Sequence, residues 1–218
     1  MTDGSDGARD ATQFWDDRYV GRRTEHGRMW SGRVNATVED QVAELTPGTA
    51  LELGSGEGAD ALWLAGRGWT VTALDISSVA LAVGAGEAAK AGLSDRIEWV
   101  QTDLTAWHPS AEYDLVMSAF FHSPFDFPRE AILRQAVSAV APGGRLLIVG
   151  HGGFPPTSQH VHDTEIPAFP SPDEVLASLD LPTGWVVETN ASIERTTRWH
   201  GEEDVVLIDT VLRVRRGE

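Results

Sequence analysis

Gly54, Gly56 and Gly58 stand at alternate positions in TALELGSGEGADALWLAGRG, after a short apolar run and before a helical pattern. Glycines so spaced remove the side chains that would keep a ligand off the main chain, and the first N–H groups of the helix face the same ligand. The turn, with Ser55 between its first two glycines, has the chemistry of a nucleotide-type binding site. Glu52 precedes Gly54 by two residues and points away from Leu51 and Leu53, because strand side chains alternate. A carboxylate there suits a cationic ligand and would repel a pyrophosphate. Asp75 and Asp103 end the apolar segments WTVTALD and IEWVQTD. Asp75, 21 residues after Gly54, is placed to accept two hydrogen bonds from a ribose diol. A tight turn that binds nothing, and two aspartates serving as caps, are the plain structural readings. His122 and His151 also fall at expected strand ends, and an ordinary pKa near 6.5 equips either as a general base. Polar-rim histidines are the alternative for both.

These groups need elements to bring them together. From residue 49 strand and helix patterns alternate, and runs such as Leu146-Leu147-Ile148-Val149 lack clean alternation, as in strands buried on both faces. The expected fold class is α/β, a doubly wound, mostly parallel seven-stranded sheet with a C-terminal antiparallel hairpin. The hairpin is expected because residues 185–199 and 204–216 are joined only by His200-Gly201-Glu202-Glu203. An open sheet of this kind binds ligands beyond its strand C-ends, where the strand order reverses. That is where the glycines, the aspartates and the histidines lie.

Residues 1–10 read as a disordered tail and 11–218 as one domain. Within it, residues 11–46 form two helices, the first capped by Thr12 and the second starting after Asn35, that act as a lid with Trp30 in the loop between them. The Pro-rich segment 152–171, carrying Phe154 and Phe169, is the expected substrate cover. His160, His162 and Asp163 in that segment read as solvated rather than as a metal site, and no metal is expected.

Composition narrows the partners. A net charge of -16 with no strong basic patch argues against nucleic acid. There is no cysteine, hence no thiolate metal site, disulfide or Cys nucleophile. No apolar run is long enough to cross a membrane and no leader pattern opens the chain, so a cytoplasmic location is expected; the expected assembly is a monomer or homodimer. Lys90, the single lysine, lies on a polar helix end and is discounted as a Schiff-base residue.

From about Phe14 to Arg216 the chain resembles the class I S-adenosylmethionine-dependent methyltransferases. LELGSGEG, ALDIS, QTDL, YDLVMSAFFH and APGGRLLIV resemble the family's five successive motifs, and FWDDRY and MWSGRVN look most like its small-molecule branch of tellurite-resistance and thiopurine methyltransferase-like proteins. The resemblance implies S-adenosyl-L-methionine as cofactor. It implies that Glu52 holds the methionine amino group, that Gly54, Ser55 and Gly56 approach the methionine end, and that Asp75 takes the ribose hydroxyls with Ile76 against the adenine. Asp103 would accept from the adenine amino group and the Leu104 N–H would donate to a ring nitrogen. Ala119 and Phe120 would lie near the sulfonium, with Trp30 and either Arg33 or Asn35 closing over the cofactor. The absence of cysteine argues against arsenite as acceptor. Methyl transfer to a small thiol, chalcogen, hydroxyl or amine acceptor is the reading adopted, against an NAD-linked oxidoreductase or a cofactor-binding protein without turnover. The last strands favour the first: a dehydrogenase sheet would continue with strand-helix units rather than a hairpin.

Overall fold

The computed structural model describes residues 4–22, 27–153, 169–198 and 204–218. Seven strands form one sheet: β1 (Thr49–Leu53), β2 (Thr70–Asp75), β3 (Ile97–Gln101), β4 (Tyr113–Ala119), β5 (Val140–Gly153), β6 (Trp185–Arg198) and β7 (Asp204–Arg216), in the order β3-β2-β1-β4-β5-β7-β6. The first five are parallel, and β7 runs antiparallel to both β5 and β6. The expected fold class holds in full. The strand order reverses between β1 and β4, where Glu52 is in register with Met117.

Alternation within buried strands produces two cores. Leu51, Leu53, Val116, Leu146 and Ile148 face one side, packing with Ile132 and Leu133 of α5 (Arg129–Val137) and Val175 of α6 (Pro172–Ser178). Ala50, Leu115, Met117, Leu147 and Val149 face the other, packing with α2 (Ala36–Val42), α3 (Ala59–Gly66) and Ala88 of α4 (Ser78–Ala91). Burial on both faces is what the absence of period-two alternation requires. Glu52, between Leu51 and Leu53, therefore enters the second face, among α2 and α3.

The first helix differs from the sequence reading. Helix α1 runs Gly4–Gly21, so backbone expected to be disordered through residue 10 is helical and Thr12 lies inside the helix rather than at its cap. Helix α5 ends at Val137, because Val140 already pairs with Tyr113 across a bulge in β5. A Cβ on Gly144 in that bulge would stand 2.9 Å from the Tyr113 and Ala141 carbonyl oxygens, so close backbone approach excludes a side chain. Helix α2 starts where expected: the Asn35 side chain accepts from the Thr37 and Val38 N–H groups. Among the described residues no helix is long and apolar enough to cross a membrane.

Candidate active site

The turn after β1 is hung from β2, since the Gly54 and Ser55 N–H groups both donate to the Leu74 carbonyl, at 2.8 and 2.9 Å. Gly54, Gly56 and Gly58 have φ of 71°, 55° and 73°, the left-handed region that disfavours any residue with a Cβ. A Cβ would also collide: at Gly54 with the Phe121 ring at 2.6 Å and at Gly56 with the Tyr19 hydroxyl at 2.8 Å. Those two side chains therefore cover the turn, and a ligand that touches its main chain must move them aside.

Four carboxylates are sunk around the turn: Glu52 and Glu57 at 3%, Asp75 at 7% and Asp60 at 9% exposure, of which Glu57 is spent on the loop after α1. Asp75 accepts from the Gly56 N–H at 2.7 Å and the Ser77 N–H at 2.8 Å, so it braces the glycine turn against the start of α4. Asp60 accepts from the Asn35 N–H at 2.9 Å. Glu52 takes the Ala61 N–H, while its Oε2, like the Ser55 hydroxyl, is buried without a partner. Burial drives the carboxyls of Glu52, Asp60 and Asp75 above their ordinary range. Glu52 rises well above it, with Asp60 and Asp75 adding repulsion; Asp60 rises to about 6 against the pull of the Asn35 N–H; Asp75 rises despite its Ser77 and Gly56 donors. Among the described residues none of the three is paired with Arg, Lys or His. Buried, unpaired negative charge of this kind is satisfied by a cation.

Helix α1 lies over this cluster. Asp16 accepts from the Ser77 hydroxyl at 2.6 Å, the Ser78 hydroxyl at 3.3 Å and the Val79 N–H at 3.3 Å, which fastens α1 to the N-terminus of α4. Tyr19 is buried, and burial followed by the charge of Asp75 pushes its hydroxyl above its usual pKa. Trp30, expected over the cofactor, is 55% exposed and hydrogen-bonds to Tyr19 instead. The anchor of its loop is Glu57, which accepts the Met29 and Trp30 N–H groups at 2.9 Å each. Arg33 is exposed, and Asn35 is committed to its cap. Tyr19, Glu57 and Asp60 were missed in the sequence; the acidic residues fill variable positions of the glycine motif and carry no separate signal.

At the neighbouring strand ends, Asp103 accepts the Thr105 N–H and hydroxyl at 2.9 and 2.7 Å on one oxygen, a cap-like turn that leaves the other oxygen available. Leu104 is buried, and the Ile76 carbonyl receives the Gln101 amide at 3.1 Å. Ala119 ends β4 and Phe120 follows in a left-handed conformation, φ 52°, its N–H on the Val149 carbonyl at 2.8 Å. That strained residue re-aims the chain, so that Phe121 turns onto Gly54 while His122 turns toward β5.

A second cluster forms there. The His122 and His151 rings stack at 5.6 Å, Phe120 lies 4.5 Å from His151, and Phe169 meets His122 at 5.2 Å and His151 at 5.4 Å. Gly150 supplies the space: a Cβ on it would stand 2.9 Å from Thr210 Oγ1, 3.8 Å from His122 Nε2 and 4.0 Å from Arg129 Nη2. His122 Nε2 is buried without a partner. Burial, then the charges of Arg129 and His151, lower the His122 pKa to about 4, so its imidazole is neutral at physiological pH. Both histidines singled out in the sequence are thus brought together; Arg129, a lone arginine at the start of α5, was not foreseen. Among the described residues no group of three or more His, Cys, Asp or Glu side chains is set to hold a metal. His160, His162, Asp163 and Phe154 lie outside the described residues, as does most of the expected cover segment.

Comparison with known proteins agrees with this geometry. Residues 50–144 match the methyltransferase domain family. The 2-heptyl-1-hydroxyquinolin-4(1H)-one methyltransferase of Mycobacteroides abscessus is 33% identical over 127 residues, 55% of this chain and 54% of that protein, so the chain spans about half the length of that relative. A solved structure from work on the conversion of a disulfide bond into a thioacetal group during echinomycin biosynthesis has a TM-score of 0.70 at 24% identity, over 94% of this chain and 93% of the other. TehB from Haemophilus influenzae has a TM-score of 0.62 at 17% identity, over 93% of this chain and 67% of its own. At those identities the likeness is one of fold. The domain match over residues 50–144, the sheet order and the acidic glycine turn at its switch point agree with one another: in that stretch and in its fold the chain is similar to the S-adenosylmethionine-dependent methyltransferases.

Proposed function

We propose that this chain transfers a methyl group from S-adenosylmethionine to a small-molecule acceptor. The observation that carries the reading is the trio Glu52, Asp60 and Asp75, buried carboxylates that no basic side chain among the described residues pairs, around a glycine turn at the reversal of the sheet. Such a trio suits the sulfonium and ammonium of this cofactor and opposes the pyrophosphate of a dinucleotide. The cofactor supplies an electrophilic methyl group on a positively charged sulfur, so the protein's work is alignment and exclusion of water.

The residues present fit that cofactor. The orphaned Glu52 Oε2 is available to an amino group, bare main chain at Gly54 and Gly56 admits close approach once Tyr19 and Phe121 swing aside, and Asp75 retains lone pairs for a ribose diol. The free oxygen of Asp103, with Leu104 and Ile76, forms the place for an adenine. His122, neutral and one residue beyond the Phe121 that covers Gly54, is positioned to take the proton that a hydroxyl, thiol or amine acceptor loses as its new bond to carbon forms. His151 packs beside it and holds its ring plane.

Calorimetric titration with S-adenosylmethionine and, separately, NADH tests the reading. Binding of the first alone is expected; binding of NADH alone overturns it, and binding without methyl transfer to any compound in a panel of thiols, hydroxyl compounds and amines reduces the chain to a cofactor-binding protein. Asp75→Ala is expected to weaken cofactor binding by roughly 1 to 3 kcal/mol through the loss of charge-assisted hydrogen bonds, and unchanged affinity would remove Asp75 from the site.

A further inference from the structure

Arg129 is the feature that the methyl-transfer reading leaves unused. It opens α5 and turns its side chain back toward the strand ends, where its Nε donates to the Phe121 carbonyl at 3.0 Å. Its guanidinium is half-buried and its Nη2 comes to the Gly150 side of β5, beside His122 Nε2 and Thr210 Oγ1. Among the described residues it forms no ion pair, and the acidic group that acts on it is its exposed sequence neighbour Glu130. In a chain of net charge -16, with carboxylates in large excess over basic groups, a partly desolvated arginine that forms no ion pair among the described residues is unusual. The histidines next to it carry aromatic neighbours, Phe120 against His151 and Phe169 against His122, and Ile208, 40% exposed on β7, lies two residues from Thr210.

Resting on the methyl-transfer reading, we infer that the acceptor carries a carboxylate or a comparably acidic planar oxyanion on an apolar body, and that Arg129, with the Thr210 hydroxyl beside it, is the specificity-determining residue that seats that anion. A guanidinium offers two parallel N–H donors to such a group, and its Nε is already spent on Phe121, which fixes the direction of the remaining fork. The anion is held one side chain from His122, and so against the Phe121 that borders the glycine turn; the Glu52, Asp60 and Asp75 cluster on the other side of the turn repels it and keeps it out of the cofactor's place. The step is one of recognition, and no bond is made or broken in it.

Benzoate and its uncharged isostere benzamide are the probes, titrated calorimetrically into the full chain alongside S-adenosylmethionine. Benzoate is expected to bind roughly tenfold more tightly than benzamide, the size of one charge-assisted hydrogen bond. Arg129→Gln should bring the two within about twofold, and Arg129→Lys should keep part of the preference. Added salt should weaken benzoate and not benzamide in the wild-type chain, which decides the matter even where the glutamine variant fails to fold. Equal affinities in the wild type, no binding of benzoate, a preference that survives Arg129→Gln, or indifference to salt each overturns the inference. A chain that prefers benzoate but ignores S-adenosylmethionine would sink the transferase reading and leave the anion site standing; the reverse result would do the opposite.

Discussion

Asp60 and His122 titrate in the same window with opposite sign. Asp60, raised from 3.8 to about 6, binds more protons folded than unfolded between those values, so its contribution is complete below the lower value and is lost as pH rises through the upper. His122, lowered from 6.5 to about 4, binds fewer protons folded, so its contribution is complete above 6.5 and is lost as pH falls through about 4. The two oppose each other. Asp60→Asn is therefore expected to steepen the rise of melting temperature from about pH 4 to 6.5, and His122→Asn to flatten or invert it, as thermal melts across that range will show; identical profiles in both variants would mean that neither group is shifted. Glu52 belongs at this scale too. Glu52→Gln removes a buried unpaired carboxylate, so the unliganded chain should melt higher near pH 7 while S-adenosylmethionine affinity falls. A drop in both would show that the carboxylate is held by something other than the cofactor.

The sequence reads α1 as part of a lid with its cap at Thr12, and the helix starts earlier, at Gly4. What the spacing did not carry was its fastening. Asp16 is on the polar side of the helix, and only the folded chain shows that the hydroxyls of Ser77 and Ser78 wait for it at the end of β2. Asp16→Ala should therefore loosen α1 with little loss of global stability, about 1 kcal/mol, and amide exchange in residues 11–21 should quicken while that of β1 and β4 does not. Faster cofactor association is the expected companion, since Tyr19 leaves Gly56 when α1 lifts. The loop after α1 shows the same division. Trp30 stood out by its size, yet it is the plain backbone N–H groups of Met29 and Trp30 on Glu57 that fix the loop.

Across the whole molecule, the closing hairpin is tied to the N-terminal half through one fully buried carboxylate. Asp209 accepts from Arg195 at 2.7 Å and from the Thr37 hydroxyl at 2.7 Å across 172 residues of sequence, so β7, β6 and α2 share a single charge. Asp209→Ala should cost about 3 kcal/mol by leaving Arg195 unpaired, seen as a lower midpoint in denaturant, whereas a loss under about 1 kcal/mol would show that water reaches the arginine. Sequence alone determined the sheet, its hairpin, the glycine turn and the positions of Glu52, Asp75, Asp103, His122 and His151, because strand and helix periods, glycine conformation and strand ends are local properties written in consecutive residues. Tertiary structure alone decided that Asp60 joins Glu52 and Asp75 as a buried charge, that Tyr19 covers Gly56, and that Arg129 stands beside His122. Burial, pairing and repulsion depend on which distant segments share a face of the sheet, and no spacing along the chain records that.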